Sequence, residues 1–221
     1  MPSTSTIQSH EVSIRCREAT VGGTLSIPAN AQDLQGLVIF AHGSGSGRHS
    51  PRNIFVADAL HEFGCATLLM DLLTERESAD RRNVFDIDLL GTRVVEVTQW
   101  AKAENTIGSL AIGYFGASTG AAAALVAAAD MGDQIKAVIS RGGRPDLAGD
   151  ALPRVKSPTL LLVGSLDFEV IDLNRQAQAQ MRCETKLTII PGATHLFEEP
   201  GTLEQVASEA GEWFERHLKK P

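Results

Sequence analysis

Three residues, Ser118, Asp167 and His195, stand in the order and local settings that could turn a hydroxyl into a nucleophile. A serine attacks a carbonyl only when a base takes its proton, and that base needs a carboxylate to fix its tautomer and stabilise the imidazolium. Ser118 lies in Gly116-Ala117-Ser118-Thr119-Gly120. Small residues on both sides allow a sharp strand-to-helix turn that lifts a side chain clear of a sheet, with a helix N-terminus beneath it. Among 20 glycines the pentapeptide alone is weak, because such patterns arise by chance. Its weight comes from the residues downstream. Asp167 ends Gly164-Ser165-Leu166-Asp167, and His195 ends Pro191-Gly192-Ala193-Thr194-His195, each just past an apolar run. Glu169 and Asp172 are the alternative carboxylates, but they fall in the next helical stretch, where side chains turn away. Among the other histidines, His10 belongs to the expected tail, His61 to a surface helix and His217 to a helix end. His42 and His49 precede Ser118 in a loop and read as scaffold.

That loop runs His42-Gly43-Ser44-Gly45-Ser46-Gly47-Arg48-His49-Ser50-Pro51-Arg52. A tetrahedral oxyanion needs two donors fixed in advance, usually the N–H after the nucleophile and one from the first strand-to-helix loop. The N–H groups of Thr119 and Ser44 fill those places. The same loop offers a rival, since Gly43-x-Gly45 followed by Asp71 has roughly the layout of a dinucleotide site. Arg48 occupies the third glycine position, which keeps a helix from the close approach that fingerprint demands. A phosphate-binding P-loop fails as well, because Gly47 precedes Arg48 instead of Lys and Ser or Thr. Arg48, Arg52, Arg141 and Arg144 all leave strand ends. If they converge they form a clamp for an anionic substrate. If they brace loops, Asp71, Asp86 and Asp146 are the expected partners.

These residues need elements to carry them. Val12, Ile14 and Cys16 alternate with Ser13, Arg15 and Arg17, the period of a half-buried strand, and Gly22-Gly23 is placed to bend the chain before Thr24 to Ile27. An N-terminal antiparallel hairpin follows, after a tail over residues 1–10. Continuous apolar runs then occur at Leu37 to Ala41, Ala66 to Met70, Leu110 to Phe115, Ala137 to Ser140, Thr159 to Val163 and Lys186 to Ile190. Strands buried on both faces of a parallel sheet read in this way. Helical periodicity joins them, as in Ile87, Leu90, Val94, Thr98 and Ala101, and again in Leu203, Val206, Ala210, Trp213 and Phe214; Ala121 to Met131 is apolar all round. The expected fold is α/β, a mostly parallel sheet with helices on both faces, forming a single domain over residues 11–221. Ligands then bind beyond the carboxyl ends of the strands.

Composition limits the partners. With 43% hydrophobic and 21% charged residues, the 221 residues can build a core. Twenty Lys and Arg against 27 Asp and Glu give a net charge of −7, which argues against nucleic acid. Cys16, Cys65 and Cys183 are too scattered for a disulfide framework or a zinc site. No apolar stretch approaches the roughly 20 residues of a membrane span, and residues 1–17 lack the core of a secretory signal. A cytoplasmic protein that binds a small molecule, with no membrane or nucleic-acid partner, is the expectation.

With His42-Gly43-Ser44, Gly116-Ala117-Ser118-Thr119-Gly120, Asp167 and Gly192-Ala193-Thr194-His195 in place, the chain resembles the α/β-hydrolase superfamily, and within it the lidless dienelactone hydrolase-like family. The resemblance covers Glu11 to Leu218. It implies a serine hydrolase without metal or organic cofactor, with Ser118, Asp167 and His195 as the triad. Dienelactone hydrolase itself is similar in outline but uses cysteine where Ser118 stands, so its lactone substrate does not carry over. The loop Gly45 to Asn53 and the segment Ser140 to Asp146 also resemble hydrolase-like domains that accompany a phosphoribosyltransferase domain. Only the short run Arg141 to Ser157 occupies the place of a lid, so an open site and a small, water-soluble ester or lactone, neutral or anionic, are expected. The competing reading is a non-catalytic or acyl-transferring protein of the same fold with an anion pocket.

Overall fold

The computed structural model describes residues 7–29 and 34–219. Eight strands form one sheet in the order β1-β2-β4-β3-β5-β6-β7-β8: β1 Ile7–Arg15, β2 Thr20–Pro28, β3 Gly36–Ala41, β4 Cys65–Met70, β5 Ile112–Ala117, β6 Ile135–Arg141, β7 Thr159–Gly164 and β8 Thr185–Ile190. From β4 to β8 all neighbours are parallel, while β1 and β2 add an antiparallel edge. The six apolar runs expected as strands are therefore β3 to β8.

The hairpin forms, with two corrections. β1 starts at Ile7, so residues 7–10, expected in the tail, pair along β2, where Ile7 faces Pro28 and His10 faces Leu25. Residues 1–6 lie outside the described part. The bend is also not at Gly22-Gly23: the chain turns between Arg15 and Thr20, closed by Cys16 N–H donating to the Ala19 carbonyl, and both glycines lie inside β2. They serve close approach. A Cβ on Gly23 would meet Val12, Ile14 and Leu68 at 3.0–3.1 Å, and one on Gly22 would meet the Arg48 guanidinium at 2.7 Å.

The pleat divides the core into two faces. Leu37, Ile39 and Ala41 of β3 pack with helices α4 (Ile87–Ala103) and α5 (Thr119–Met131), whereas Val38 and Phe40 pack with α1 (Pro51–Glu62) and α7 (Thr202–His217). The all-apolar α5 is buried along nearly its whole length between the sheet, α4 and the 3₁₀ segment Pro145–Arg154. That segment, and not an α-helix, joins β6 to β7, while α6 (Phe168–Gln180) joins β7 to β8. Among the described residues no helix is long and apolar enough to cross a membrane.

β4 and β5 flank β3, so the chain leaves β3 toward one side and returns to the other. The loops after β3 and β5 consequently face each other across a crevice at the carboxyl edge. Two short helices, α2 (Glu75–Ser78) and α3 (Arg81–Val84), lie between β4 and α4.

Candidate active site

Ser118 occupies the point where β5 becomes α5. Its backbone sits at φ 51°, ψ −120°, a conformation that L side chains rarely adopt. The surroundings hold it there. Its N–H donates to the Arg141 carbonyl at 3.2 Å, and its own carbonyl accepts from the N–H groups of Ala121 and Arg144, both at 3.1 Å. The turn closes only because its flanks lack side chains. A Cβ on Gly116 would stand 2.4 Å from the Ala121 Cα, and one on Gly120 would stand 2.2 Å from the Ala41 carbonyl oxygen.

Asp167 caps the gap between β7 and α6, and His195 lies on the loop after β8. The two meet: Nδ1 of His195 is 2.7 Å from Oδ2 of Asp167. With Nδ1 as the donor, Nε2 carries the free lone pair. Gly142, which follows the carbonyl that binds the Ser118 N–H, lies against the histidine; a Cβ there would be 3.0 Å from the His195 carbonyl oxygen and 3.7 Å from its Cε1. The loops bearing Ser118 and His195 are thus neighbours. Among the described residues the serine hydroxyl makes no hydrogen bond, to the imidazole or to any other group. Asp172 binds Arg175 at 3.1 Å, and among the described residues neither it nor Glu169 bonds His195.

The donors expected for an oxyanion are free. Among the described residues no protein group accepts from the N–H of Ser44 or of Thr119, and both residues line one cleft of about 850 Å³. His42 shapes this loop. Its Nδ1 is 2.9 Å from the Gly43 carbonyl oxygen, and its Nε2 accepts from the Leu72 N–H at 3.0 Å. Burial pushes its pKa below the ordinary histidine value, so the ring stays neutral and structural. His61, expected on the surface, is buried against Thr67.

The four arginines separate into two kinds. Arg48 binds Asp71 through both its guanidinium and its backbone N–H, and reaches Glu11 at 3.3 Å. Asp71 is thereby consumed, which closes the ribose role that a dinucleotide site requires. Arg144 holds Asp146 through two bonds of 2.9 and 2.8 Å. These two brace loops, whereas Arg52 and Arg141 converge beside Ser118. Among the described residues no cluster of three or more His, Cys, Asp or Glu is placed to hold a metal ion.

Sequence reasoning missed the cleft wall opposite Ser44. Thr74 to Arg76 and Ser78 line it, held by a capping box in which Thr74 and Glu77 satisfy each other's backbone N–H. Glu77 also binds the buried Arg93 of α4 at 2.8 Å. The Thr-x-x-Glu spacing was the available signal. Phe197, buried at φ 56°, was missed too; it fixes the turn after His195 and carries the Arg141 guanidinium over its ring.

Comparison with known proteins agrees with this architecture. The sequence profile of the dienelactone hydrolase family matches residues 21–219. The crystal structure of dienelactone hydrolase from Anabaena variabilis superposes with a TM-score of 0.92 at 50% identity, covering 96% of this chain and 99% of that one. Est1E from Butyrivibrio proteoclasticus shares the fold, with a TM-score of 0.78 at 22% identity over 91% of this chain and 96% of its own. A Mycobacterium tuberculosis protein named "Putative phosphoribosyl transferase" is 54% identical over 215 residues, 97% of this chain but 48% of its own length. The chain thus spans about half the length of the curated relatives it matches. On the match across 21–219 and the fold that carries it, this chain belongs to the dienelactone hydrolase family.

Proposed function

We propose that the protein hydrolyses small carboxylic esters or lactones through an acyl-enzyme at Ser118. What supports this reading most is the strained serine at a helix N-terminus, on a loop adjacent to the one that carries a histidine already bonded to a carboxylate. His195 Nε2 takes the hydroxyl proton as Ser118 Oγ attacks the carbonyl carbon. The resulting oxyanion lies against the N–H groups of Ser44 and Thr119, which no acceptor among the described residues occupies. The imidazolium, stabilised by Asp167, gives its proton to the leaving alcohol, and the C–O bond breaks. Water then attacks the acyl-enzyme by the same route, releasing the acid and restoring Ser118.

The cleft suits a compact acyl or alcohol group. It is bounded on one side by the β3–α1 loop and on the other by Thr74 to Arg76, so a long acyl chain would extend into solvent. Steady-state turnover of short 4-nitrophenyl esters by the wild type and by Ser118→Ala tests the reading. Activity in the wild type that falls by about 10⁴-fold in the variant agrees with it. Equal rates in both would refute it.

A further inference from the structure

Arg141 is a buried cation without an anion. It is 6% exposed, its Nε has no acceptor, and among the described residues the one hydrogen bond of its guanidinium goes to Asn53 Oδ1 at 3.2 Å. A guanidinium so placed pays desolvation with little return. Arg93, equally buried, is met by Glu77 and Glu96. The second cation near Arg141 worsens its position: burial first, and then the charge of Arg52, push it down to about 10, which still leaves it protonated at neutral pH. Arg52 reaches the exposed Glu198 at 3.2 Å, but its Nε is buried with no acceptor.

Both arginines line a cavity of about 90 Å³ that also receives Ser46, Ser50, Asn53 and Ser118. Among the described residues no carboxylate lines it. The hydroxyls of Ser46 and Ser50 have no protein partner among the described residues. The twelve-residue helix α1 starts here, with no side-chain cap and no acidic residue in its first turn. Pro51 has no N–H, so the N–H groups of Arg52 and Asn53 are the ones left without helical acceptors.

We propose that Arg141, Arg52 and the open N-terminus of α1 form a phosphate subsite beside Ser118, and that the ester this protein turns over carries a phosphate monoester near its scissile bond. The binding stands on the cavity alone; only the identity of what carries the phosphate rests on the hydrolase reading. Donor count and charge select the ligand. Arg52 keeps Glu198 as its ion-pair partner, but the acceptor-less Nε of Arg141 and of Arg52 and the N–H groups that open α1 outnumber the two oxygens of a carboxylate, whereas a phosphate monoester brings three acceptor oxygens and about −1.5 to −2 at pH 7. Size agrees, since about 90 Å³ is the share of roughly three waters, enough for a phosphate group and too little for an acyl chain. The rest of the substrate has the larger cleft, which shares Ser44 and Ser46 with this cavity.

Isothermal titration with inorganic phosphate tests the subsite, beside the ratio of kcat/KM for 1-acetylglycerol 3-phosphate over monoacetylglycerol. The wild type should bind phosphate saturably and at least tenfold more tightly than acetate, and should prefer the phosphorylated ester at least tenfold. Arg141→Met should weaken phosphate binding at least tenfold and Arg52→Gln at least threefold, each collapsing the substrate ratio. Absence of phosphate binding in the wild type, or unchanged affinity in a folded Arg141→Met protein, would overturn the proposal. Should Arg141→Met not fold, unchanged affinity in Arg52→Gln overturns it equally. Phosphate binding without turnover of either ester supports the subsite and removes the hydrolase reading. Turnover of monoacetylglycerol without phosphate binding does the reverse.

Discussion

Ser118, the proposed nucleophile, is held in place by what its neighbours lack. With φ at 51°, the serine is in a conformation that costs of order 1–3 kcal/mol, and the turn around it must repay that cost. Gly120→Ala places a Cβ 2.2 Å from the Ala41 carbonyl oxygen and 2.4 Å from that of His42, backbone atoms at the end of β3 and the start of the loop that carries Ser44. Thermal denaturation of this variant should show a loss of about 1–3 kcal/mol or more, together with loss of the proposed esterase activity. An unchanged melting temperature would mean that the turn is looser than drawn. At the other end of the relay, Asp167 accepts from His195 Nδ1 at 2.7 Å. Asp167→Asn keeps the shape but offers an amide that can favour the wrong tautomer, so kcat should fall about 10³- to 10⁴-fold with little change in stability. A decrease below about tenfold would remove Asp167 from the mechanism.

At the scale of elements, the wall of the cleft hangs on one buried cation. Arg93 of α4 is 3% exposed and joins Glu77 at 2.8 Å and Glu96 at 3.7 Å, so α2 is tied to the core through the same Glu77 that closes its capping box. Arg93→Ala takes the buried cation away from two half-buried carboxylates, which keep Thr74 and the Arg17 N–H as donors, and should cost about 1–3 kcal/mol in denaturant unfolding. It should also raise KM for esters, because Thr74 to Arg76 form the cleft wall. A loss under 1 kcal/mol would show that this segment is held by other contacts. The elements differ in how far they can be read from sequence. β3 to β8 are legible because both faces are buried, which leaves continuous apolar runs such as Leu37 to Ala41. α5 is legible for the same reason. The hairpin is only half legible: Gly22 and Gly23 signal a turn by type, yet they serve the approach of Arg48 and of Val12, contacts between distant segments that no local pattern reveals. Likewise Ser118, Asp167 and His195 stand out by their places after strands, whereas the sorting of four arginines into braced and unpaired depends on which acids arrive beside them.

Across the whole molecule, three histidines outside the proposed triad are held neutral by burial. His42, His61 and His217 are each held below the ordinary value of 6.5, first of all by burial. The unfolded chain takes up these protons at about pH 6.5, while the folded chain does so only further down. Their contribution to stability is therefore complete above about pH 6.5 and is lost as pH falls through the depressed values. Urea midpoints should drop between pH 7.5 and 5.5, and a flat profile would contradict the burial of these rings. Glu77 acts in the same sense at lower pH: burial raises its pKa, but the bonds from Arg93 and Thr74 outweigh burial and lower it. The central claim concerns one atom, Ser118 Oγ. Labelling of the folded protein with a fluorophosphonate, followed by intact mass and peptide mapping, addresses it without any choice of substrate. The account predicts one adduct per chain, on Ser118, abolished in Ser118→Ala and strongly slowed in His195→Ala. A folded wild-type protein that stays unlabelled, or carries the adduct on another residue, would contradict it.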